Sequence, residues 1–517
     1  MLAPAQALEK GLGNIKKQWK LAFLAAFVTG LLIHMPAMLS DIPNHDGLGS
    51  IYFDQNMITS GRWFLAVACG FSSFYTVPWV IGLLGLFFLG AAAAALTELL
   101  EIRKNWAVAA VGGLLVAFPA LVSTFAYVFT LDGYMLALLL AVLAVLFTKK
   151  YRYGFLPGGL CLAFSLGTYQ GYLAFAMILS AFSILMLSME RMRTAEKVKR
   201  GLRYLYMGVL GAVLYYVILQ VLLQIQGKKL DSYQGISGLS SDAASSVGFI
   251  DRIVGMYRDF VGFSLKGNVL FNNWISAAAW ILLICAALAV GILLTVKRKW
   301  WKSPWFFAIM IVTLLALPLV TNVILLVSPS VTYHLLMRYQ WVLFPIGLVA
   351  FMDRHAGEIR GGAVPEWVVF GAAFVLVFFY GVTDNIGYSN LNKRYEKTYA
   401  YCVRLLDRIE QTPGYYQGIP IAMVGVVGDE QFPDTDITLP VTSGMIGING
   451  DSLLYTGENY RLFMRHYLGA SLNILPPEAM ADMYYDAEYI AMDSFPGEDS
   501  IKIIDGVMYI KTENINR

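Results

Sequence analysis

Apolar runs of about twenty residues, divided by short polar loops, recur over most of this chain. That is the length a helix needs to cross a bilayer. The first run extends from about Trp19 to Leu39, and others cover 77–99, 106–125 and 134–147. The stretch 155–189 is too long for one crossing and is interrupted at Gly167-Thr-Tyr-Gln-Gly171, which predicts two spans joined by a tight turn. Further runs follow at 202–225, 274–296, 305–327, 335–352 and 367–384. The pattern predicts about eleven crossings. Residues 1–20 form a basic, amphipathic lead-in expected on the membrane surface. Residues 62–75 are aromatic and half apolar, as in a helix lying within the interface. The first span has basic flanks and no small-residue cleavage site behind it, so it is expected to stay as a membrane helix.

The pattern changes near residue 388. A polar segment there predicts a helix over 394–411, a strand over 419–427 and a helix near 459–468, with late strands around 488–492 and 502–510. The expected fold class is therefore a polytopic α-helical membrane protein with a small C-terminal α/β domain, divided as 1–387 and 388–517.

Composition agrees: 58% of residues are hydrophobic and 14% charged, against about 25% charged in soluble domains. A formal net charge of +3 is too small to indicate a nucleic-acid partner. Loops that face the same side as the N-terminus hold Arg103, Lys104, Lys149, Lys150, Arg152, the cluster 191–203, the cluster 297–302, Arg354 and Arg360. Short loops on the other side hold little beyond Arg62 and Arg338. By the positive-inside rule the N-terminus is cytoplasmic and the C-terminal domain extracytoplasmic, in a multi-pass protein of the cell membrane. Cys69, Cys161, Cys285 and Cys402 show no metal-ligand spacing, nor do the histidines, so neither metal nor cofactor is called for.

With sides assigned, the polar groups sort to one face. Asp41, His45, Asp46 and Asp54 fall in the first outer loop, Asp132 in the second, Tyr169 and Gln170 in the third, and Tyr333, His334 and Arg338 in the fifth. These groups are expected to gather at one site beside the outer leaflet. A pump or carrier would place ionisable residues near the bilayer centre instead. Carboxylates and scattered cations at a lipid surface suit transfer of a sugar from a lipid phosphate. One carboxylate takes the acceptor proton, and cations steady the departing phosphate. Each candidate also has a plainer reading. Asp46 and Asp132 could cap helices, Asp41 could serve a turn, and Asp54 could hold Arg62 or be the base itself. Arg62 and Arg338 could be interfacial anchors, and Tyr169 with Gln170 could satisfy backbone groups.

The stretches Asn44-His45-Asp46-Gly47, Ser60-Gly61-Arg62-Trp63, Phe129-Thr-Leu-Asp132 and Thr168-Tyr169-Gln170 are together similar to the bacterial glucosyltransferase II family. These are polytopic GT-C-type enzymes related to phage serotype-converting O-antigen glucosyltransferases. The likeness is best over the first six spans. It implies a GT-C-like architecture, an undecaprenyl-phosphate-linked hexose donor, inverting transfer and an extracytoplasmic surface polysaccharide as acceptor. It further implies a general base in the first outer loop, which points to Asp46, with Asp54 and Asp132 as supporting acids. Substrate contacts are expected from His45, Arg62, Tyr169, Gln170, His334 and Arg338. The rival readings are a flippase for lipid-linked sugars and a polysaccharide polymerase or ligase.

Overall fold

The computed structural model describes residues 3–49, 55–70, 72, 76–190, 192–231, 248–266, 269–270, 272–328, 331–423, 439–450 and 452–512. Contacts divide the chain into two units, 1–39 with 54–385 and 40–53 with 386–517.

The first unit is helical. Among the described residues, eight helices are long and apolar enough to cross a membrane: Lys17–Leu39, Pro78–Leu99, Val128–Lys150, Gln170–Met189, Thr194–Gln226, Trp274–Lys297, Leu335–Glu358 and Ala363–Glu410. A ninth is reached if Asn105–Ala117 and Ala120–Ala126, bent by 49°, make one span. The bend has a local cause: Pro119 forces Phe118 out of the helical region, to φ −67° and ψ 126°. Phe155–Thr168 and Trp305–Thr321 are apolar but shorter. The chain is thus a multi-pass membrane protein, and helix length alone supports eight or nine crossings where the hydropathy pattern suggested about eleven.

The break anticipated at 167–171 is present. Helix Phe155–Thr168 ends at an extended Tyr169, and Gln170–Tyr172 forms a single 3-10 turn before helix Leu173–Met189. The interfacial helix expected over 62–75 is reduced to Leu65–Cys69 among the described residues. The long polar segment after 226 contains a helix, Phe249–Lys266, that the apolar pattern had not marked.

Helix Val128–Lys150 lies at the centre of the unit, packed against Pro78–Leu99 and Phe155–Thr168. Helix Lys17–Leu39 packs on Pro78–Leu99 and on Asn105–Ala117. Gly112 sets the second of these approaches, since a Cβ there would stand 2.9 Å from the Ala26 amide nitrogen and 3.0 Å from the Ala22 carbonyl. With no water in the bilayer core to drive association, such close backbone contact is a main source of helix–helix attraction. His34 is packed in this seam, its Nε2 2.8 Å from the Val116 carbonyl and its ring stacked on Phe125.

At the end of the bundle expected to be cytoplasmic, basic residues are held by acids. Glu98 pairs with Lys16 (2.7 Å) and Lys150 (3.3 Å), and Glu101 with Lys149 (2.9 Å) and Arg354 (3.0 Å). Glu366 pairs with Lys104 at 2.7 Å and Glu358 with Arg298 at 2.5 Å.

The second unit takes residues 386–410 of the 48-residue helix Ala363–Glu410, which meets no proline after Pro365. Its sheet runs β2-β1-β4-β3, where β1 is Pro420–Ala422, β2 Asn473–Ile474, β3 Ile501–Ile504 and β4 Val507–Ile510. β1 is parallel to both neighbours, and β3 pairs antiparallel with β4. The small α/β region is therefore present. The expected strand over 502–510 is a hairpin that turns at Asp505-Gly506, both with positive φ (48° and 80°), as a two-residue turn between twisted strands requires. The stretch 488–492 is not a strand: Ala487–Ala491 is a short helix whose first turn is capped by Asp486, which accepts from the Glu488 amide at 3.0 Å. Helix Gly457–Tyr467 begins with a Thr456–Asn459 capping box. Of the strand expected over 419–427, residues 424–427 lie outside the described residues.

The core of this unit joins Tyr401, Cys402, Leu405 and Ile409 from the long helix to Ile421, Phe463 and Met508. Leu48 is buried in the same core, so the first polar loop packs into the second unit.

Candidate functional site

Within the first unit, two of the stretches singled out by sequence fit into one another. Residues 57–62 make a tight turn in which the Arg62 amide donates to the Met57 carbonyl at 3.0 Å. Gly61 closes it in the left-handed region, with φ 78°. The turn then docks on the break at 167–171. The Phe64 amide donates to the Gly167 carbonyl (2.7 Å), and the Gln170 amide side chain donates to the Ser60 carbonyl (3.1 Å). Tyr215, from helix Thr194–Gln226, donates its hydroxyl to the Gly61 carbonyl (3.1 Å) and stands 3.1 Å from Gln170 Nε2. Trp63 lies flat against Gly167, where a Cβ would fall 2.4 Å from its ring.

This docking fixes Arg62. Its Nη1 donates to the Tyr134 hydroxyl at 3.1 Å, and its guanidinium lies 5.4 Å from the Tyr169 ring centre. Tyr134 and Tyr169 stack with ring centres 4.4 Å apart. Tyr169 is buried, and its hydroxyl has no hydrogen-bond partner among the described residues. A guanidinium held by an aromatic face and a hydroxyl is suited to meet an anion.

Asp132 sits in the first turns of helix Val128–Lys150 and is fully buried. Ser72 donates its hydroxyl to Oδ2, and the Gly133 amide donates to Oδ1 at 2.9 Å. These bonds join the segment after helix Leu65–Cys69 to the start of helix Val128–Lys150.

Arg338 is committed to a carboxylate. Its two terminal nitrogens reach the two oxygens of Asp259 at 2.7 Å each, a bidentate fork. The guanidinium also lies 3.8 Å from the Tyr333 ring centre and 4.6 Å from that of Phe263. Asp259 belongs to the unanticipated helix Phe249–Lys266, so nothing in the apolar pattern pointed to this pair. Gln340 donates to the Tyr333 hydroxyl (2.8 Å), and burial pushes the Tyr333 phenol above its ordinary range. His334 precedes the 3-10 segment Leu335–Val342, half-buried, and burial lowers its pKa. That segment packs on the Gln170–Tyr172 turn, which brings the fifth-loop residues alongside the third.

Sequence reasoning passed over Asp384, reading it only as the end of a span. It is fully buried in the first unit, and neither carboxyl oxygen has a hydrogen-bond partner among the described residues. A buried acid left unpaired is costly and more often functional than structural.

In the second unit, His45 and Asp46 lie side by side, with Nε2 3.6 Å from Oδ1. The His45 ring meets Tyr455 edge-on at 5.0 Å, and Asn459 donates to the His45 carbonyl at 3.2 Å. Arg394, fully buried, stands behind them: it donates to the Ser452 and Gly447 carbonyls and to the Tyr455 hydroxyl (2.9 Å). Burial lowers the His45 pKa; Asp46 acts against that shift and the Arg394 charge adds to it. Asn44 turns the loop, its side chain accepting from the Gly47 amide at 2.7 Å. The Asp46 side chain is 56% exposed at the tip. Asp41 lies at the base of the loop, exposed, where partial desolvation raises its pKa. Asp54 lies outside the described residues. Among the described residues, no cluster of three or more His, Cys, Asp or Glu is placed to hold a metal ion.

The expected residues therefore form groups: Arg62, Tyr169 and Gln170 with Tyr134 and Tyr215; Arg338 and His334 with Tyr333 and Asp259; and His45 with Asp46. A protein-family model described as Glucosyl transferase GtrII matches residues 35–346, a range that takes in all of these groups. No curated protein and no solved structure matches the chain.

Proposed function

Because the chain belongs to the glucosyl transferase GtrII family and is a multi-pass membrane protein, it is a membrane glycosyltransferase, and we propose that it moves a hexose, glucose by preference, from a polyprenyl-phosphate carrier to an extracytoplasmic surface glycan. The observation that carries this reading is the placement of Arg62 at one end of the bundle, presented between the Tyr134 hydroxyl and the Tyr169 ring. A lipid phosphate approaching from the bilayer brings its charge to that depth, with the sugar just beyond it.

In the proposed reaction the acceptor hydroxyl oxygen attacks the anomeric carbon from the face opposite the phosphate. Asp46 takes the hydroxyl proton as the new carbon–oxygen bond forms. The bond from the anomeric carbon to the phosphate oxygen breaks, and the electron pair leaves with the polyprenyl phosphate. Arg62 steadies that growing charge. Attack from the opposite face inverts the anomeric centre. His45 orients Asp46, and Asp54 is a supporting acid. Arg338, already forked on Asp259, fixes the Tyr333-His334 segment beside the donor. The site faces the extracytoplasmic side, where no pool of nucleotide sugars exists and a lipid must deliver the donor.

The test uses the purified full-length protein in vesicles with a panel of polyprenyl-phosphate monosaccharides and an acceptor glycan. Release of polyprenyl phosphate matched by sugar transfer, fastest with the glucosyl donor, is the expected result. Turnover with a nucleotide sugar alone, or only with a lipid-linked oligosaccharide, overturns it.

A further inference from the structure

At the bundle end opposite Arg62, a cavity of about 280 Å³ opens among the ends of four helices. Its walls hold Lys149 and Lys150 from the end of Val128–Lys150, Arg200 and Arg203 from the start of Thr194–Gln226, and Glu98, Glu101 and Glu190. Four cations face three acids, and most are already spoken for. Lys149 pairs with Glu101 at 2.9 Å, Lys150 with Glu98 at 3.3 Å, and Arg200 with Glu196 at 2.6 Å. Two charges of opposite sign are left over. Among the described residues the Arg203 side chain hydrogen-bonds only to the Tyr151 carbonyl, at 3.4 Å. Glu190 makes no side-chain hydrogen bond or salt bridge among the described residues; Lys197, which donates to the Ser188 carbonyl at 2.7 Å, feels its charge without being bonded to it.

The surface below the cavity is apolar. Leu205, Tyr206, Val209, Val213, Tyr216 and Val217 are exposed along helix Thr194–Gln226. That helix packs one face on Phe155–Thr168 and leaves this apolar face uncovered by the protein, open to lipid chains. A polar chamber with one cation and one acid outside any salt bridge among the described residues thus opens onto a hydrophobic stripe.

We propose that this cavity is a headgroup site for a phospholipid carrying both a phosphate and a primary amine, with Arg203 on the phosphate, Glu190 on the ammonium and the acyl chains along helix Thr194–Gln226. A free phosphate compound would satisfy Arg203 but leave Glu190 and the stripe unused. A purely anionic headgroup would place its charge beside three carboxylates. The site is separate from the proposed transferase machinery and does not depend on that reading.

Native mass spectrometry on the detergent-purified full-length protein tests it, titrating phosphatidylethanolamine and phosphatidylglycerol of identical chains, with glycerophosphoethanolamine as the headgroup alone. The ethanolamine lipid is expected to bind about tenfold more tightly than the glycerol lipid, the worth of one charge-assisted contact, and the free headgroup is not expected to compete. Glu190→Gln is expected to erase the preference between the two lipids, and Arg203→Gln to weaken both. Equal affinity for the two lipids in the native protein overturns the proposal. So does displacement by the free headgroup, or retained preference in Glu190→Gln. Arg203→Gln is read only where its melting temperature matches the native protein; Glu190→Gln, which removes a charge without a bonded partner, decides the matter otherwise.

Discussion

Replacing Gly61 by alanine tests the docking that holds Arg62, and its cost can be worked from the structure. Gly61 has φ 78°, a conformation that costs an L-residue about 1–2 kcal/mol. A Cβ would also fall 2.6 Å from the Tyr215 hydroxyl and 2.7 Å from Gln170 Nε2. Both side chains would have to withdraw, and with them go their hydrogen bonds to the Gly61 and Ser60 carbonyls. Each such bond contributes about 0.5–1.5 kcal/mol net. The whole substitution is expected to destabilise the protein by about 3 kcal/mol. In a Gln170→Ala, Tyr215→Phe background the obstruction is gone, since the Tyr215 ring carbon then nearest lies 3.8 Å away. There the same substitution is expected to cost only the backbone strain, about 1–2 kcal/mol. Equilibrium unfolding in mixed detergent, run as a double-mutant cycle, measures the coupling. Equal cost in both backgrounds would refute the docking geometry, and a neutral Gly61→Ala would refute the strained turn as well.

Three further outcomes follow from other parts of the molecule. Asp259→Asn leaves the Arg338 fork without its carboxylate and is expected to cost about 2–3 kcal/mol, below the range for fully buried pairs because the Asp259 side chain is 25% exposed; Arg338→Met added to it is expected to recover part of that loss in the same unfolding assay. Arg62→Lys keeps the charge but loses the planar contact with Tyr169, and a drop of about tenfold or more in turnover, with unchanged melting, is the expected signature. The depressed pKa of His45 sets a pH dependence: the folded protein resists protonation there, so its stability is fully present above the unfolded value of about 6.5 and declines as pH falls from that value towards the lower folded one. His45→Gln is expected to flatten that decline in acid-unfolding curves, and an unchanged slope would count against a half-buried, neutral imidazole.

The membrane helices were readable because a twenty-residue apolar run has few alternatives in a bilayer. The break at 167–171 was equally plain, since Gly167, Gly171 and the polar pair Tyr169-Gln170 interrupt an otherwise apolar stretch. Three features were not legible. The stretch over 106–125 read as one span, but Pro119 breaks it, and whether two short helices make one span depends on what packs beside them. Helix Phe249–Lys266 is amphipathic and charged, so no apolar run announced it, and with it went the Arg338–Asp259 fork. The strand expected at 488–492 gave way to a helix because Asp486 supplies a cap that outweighs β-favouring Tyr489 and Ile490. Among candidate residues, the sequence marked Ser60–Trp63 and Thr168–Gln170 separately. Only the fold brings them together, and only it could reveal the buried carboxyl of Asp384, which has no hydrogen-bond partner among the described residues.

The most direct measurement is single-turnover transfer by the Asp46→Asn protein, with the native chain and Asp46→Glu alongside, each supplied with polyprenyl-phosphate glucose and acceptor. A carboxylate base predicts that the amide variant keeps native melting and donor binding but loses transfer by about 100-fold or more, while the glutamate variant retains part of it. Native-like transfer by Asp46→Asn would contradict the account and remove the proton acceptor on which it is built.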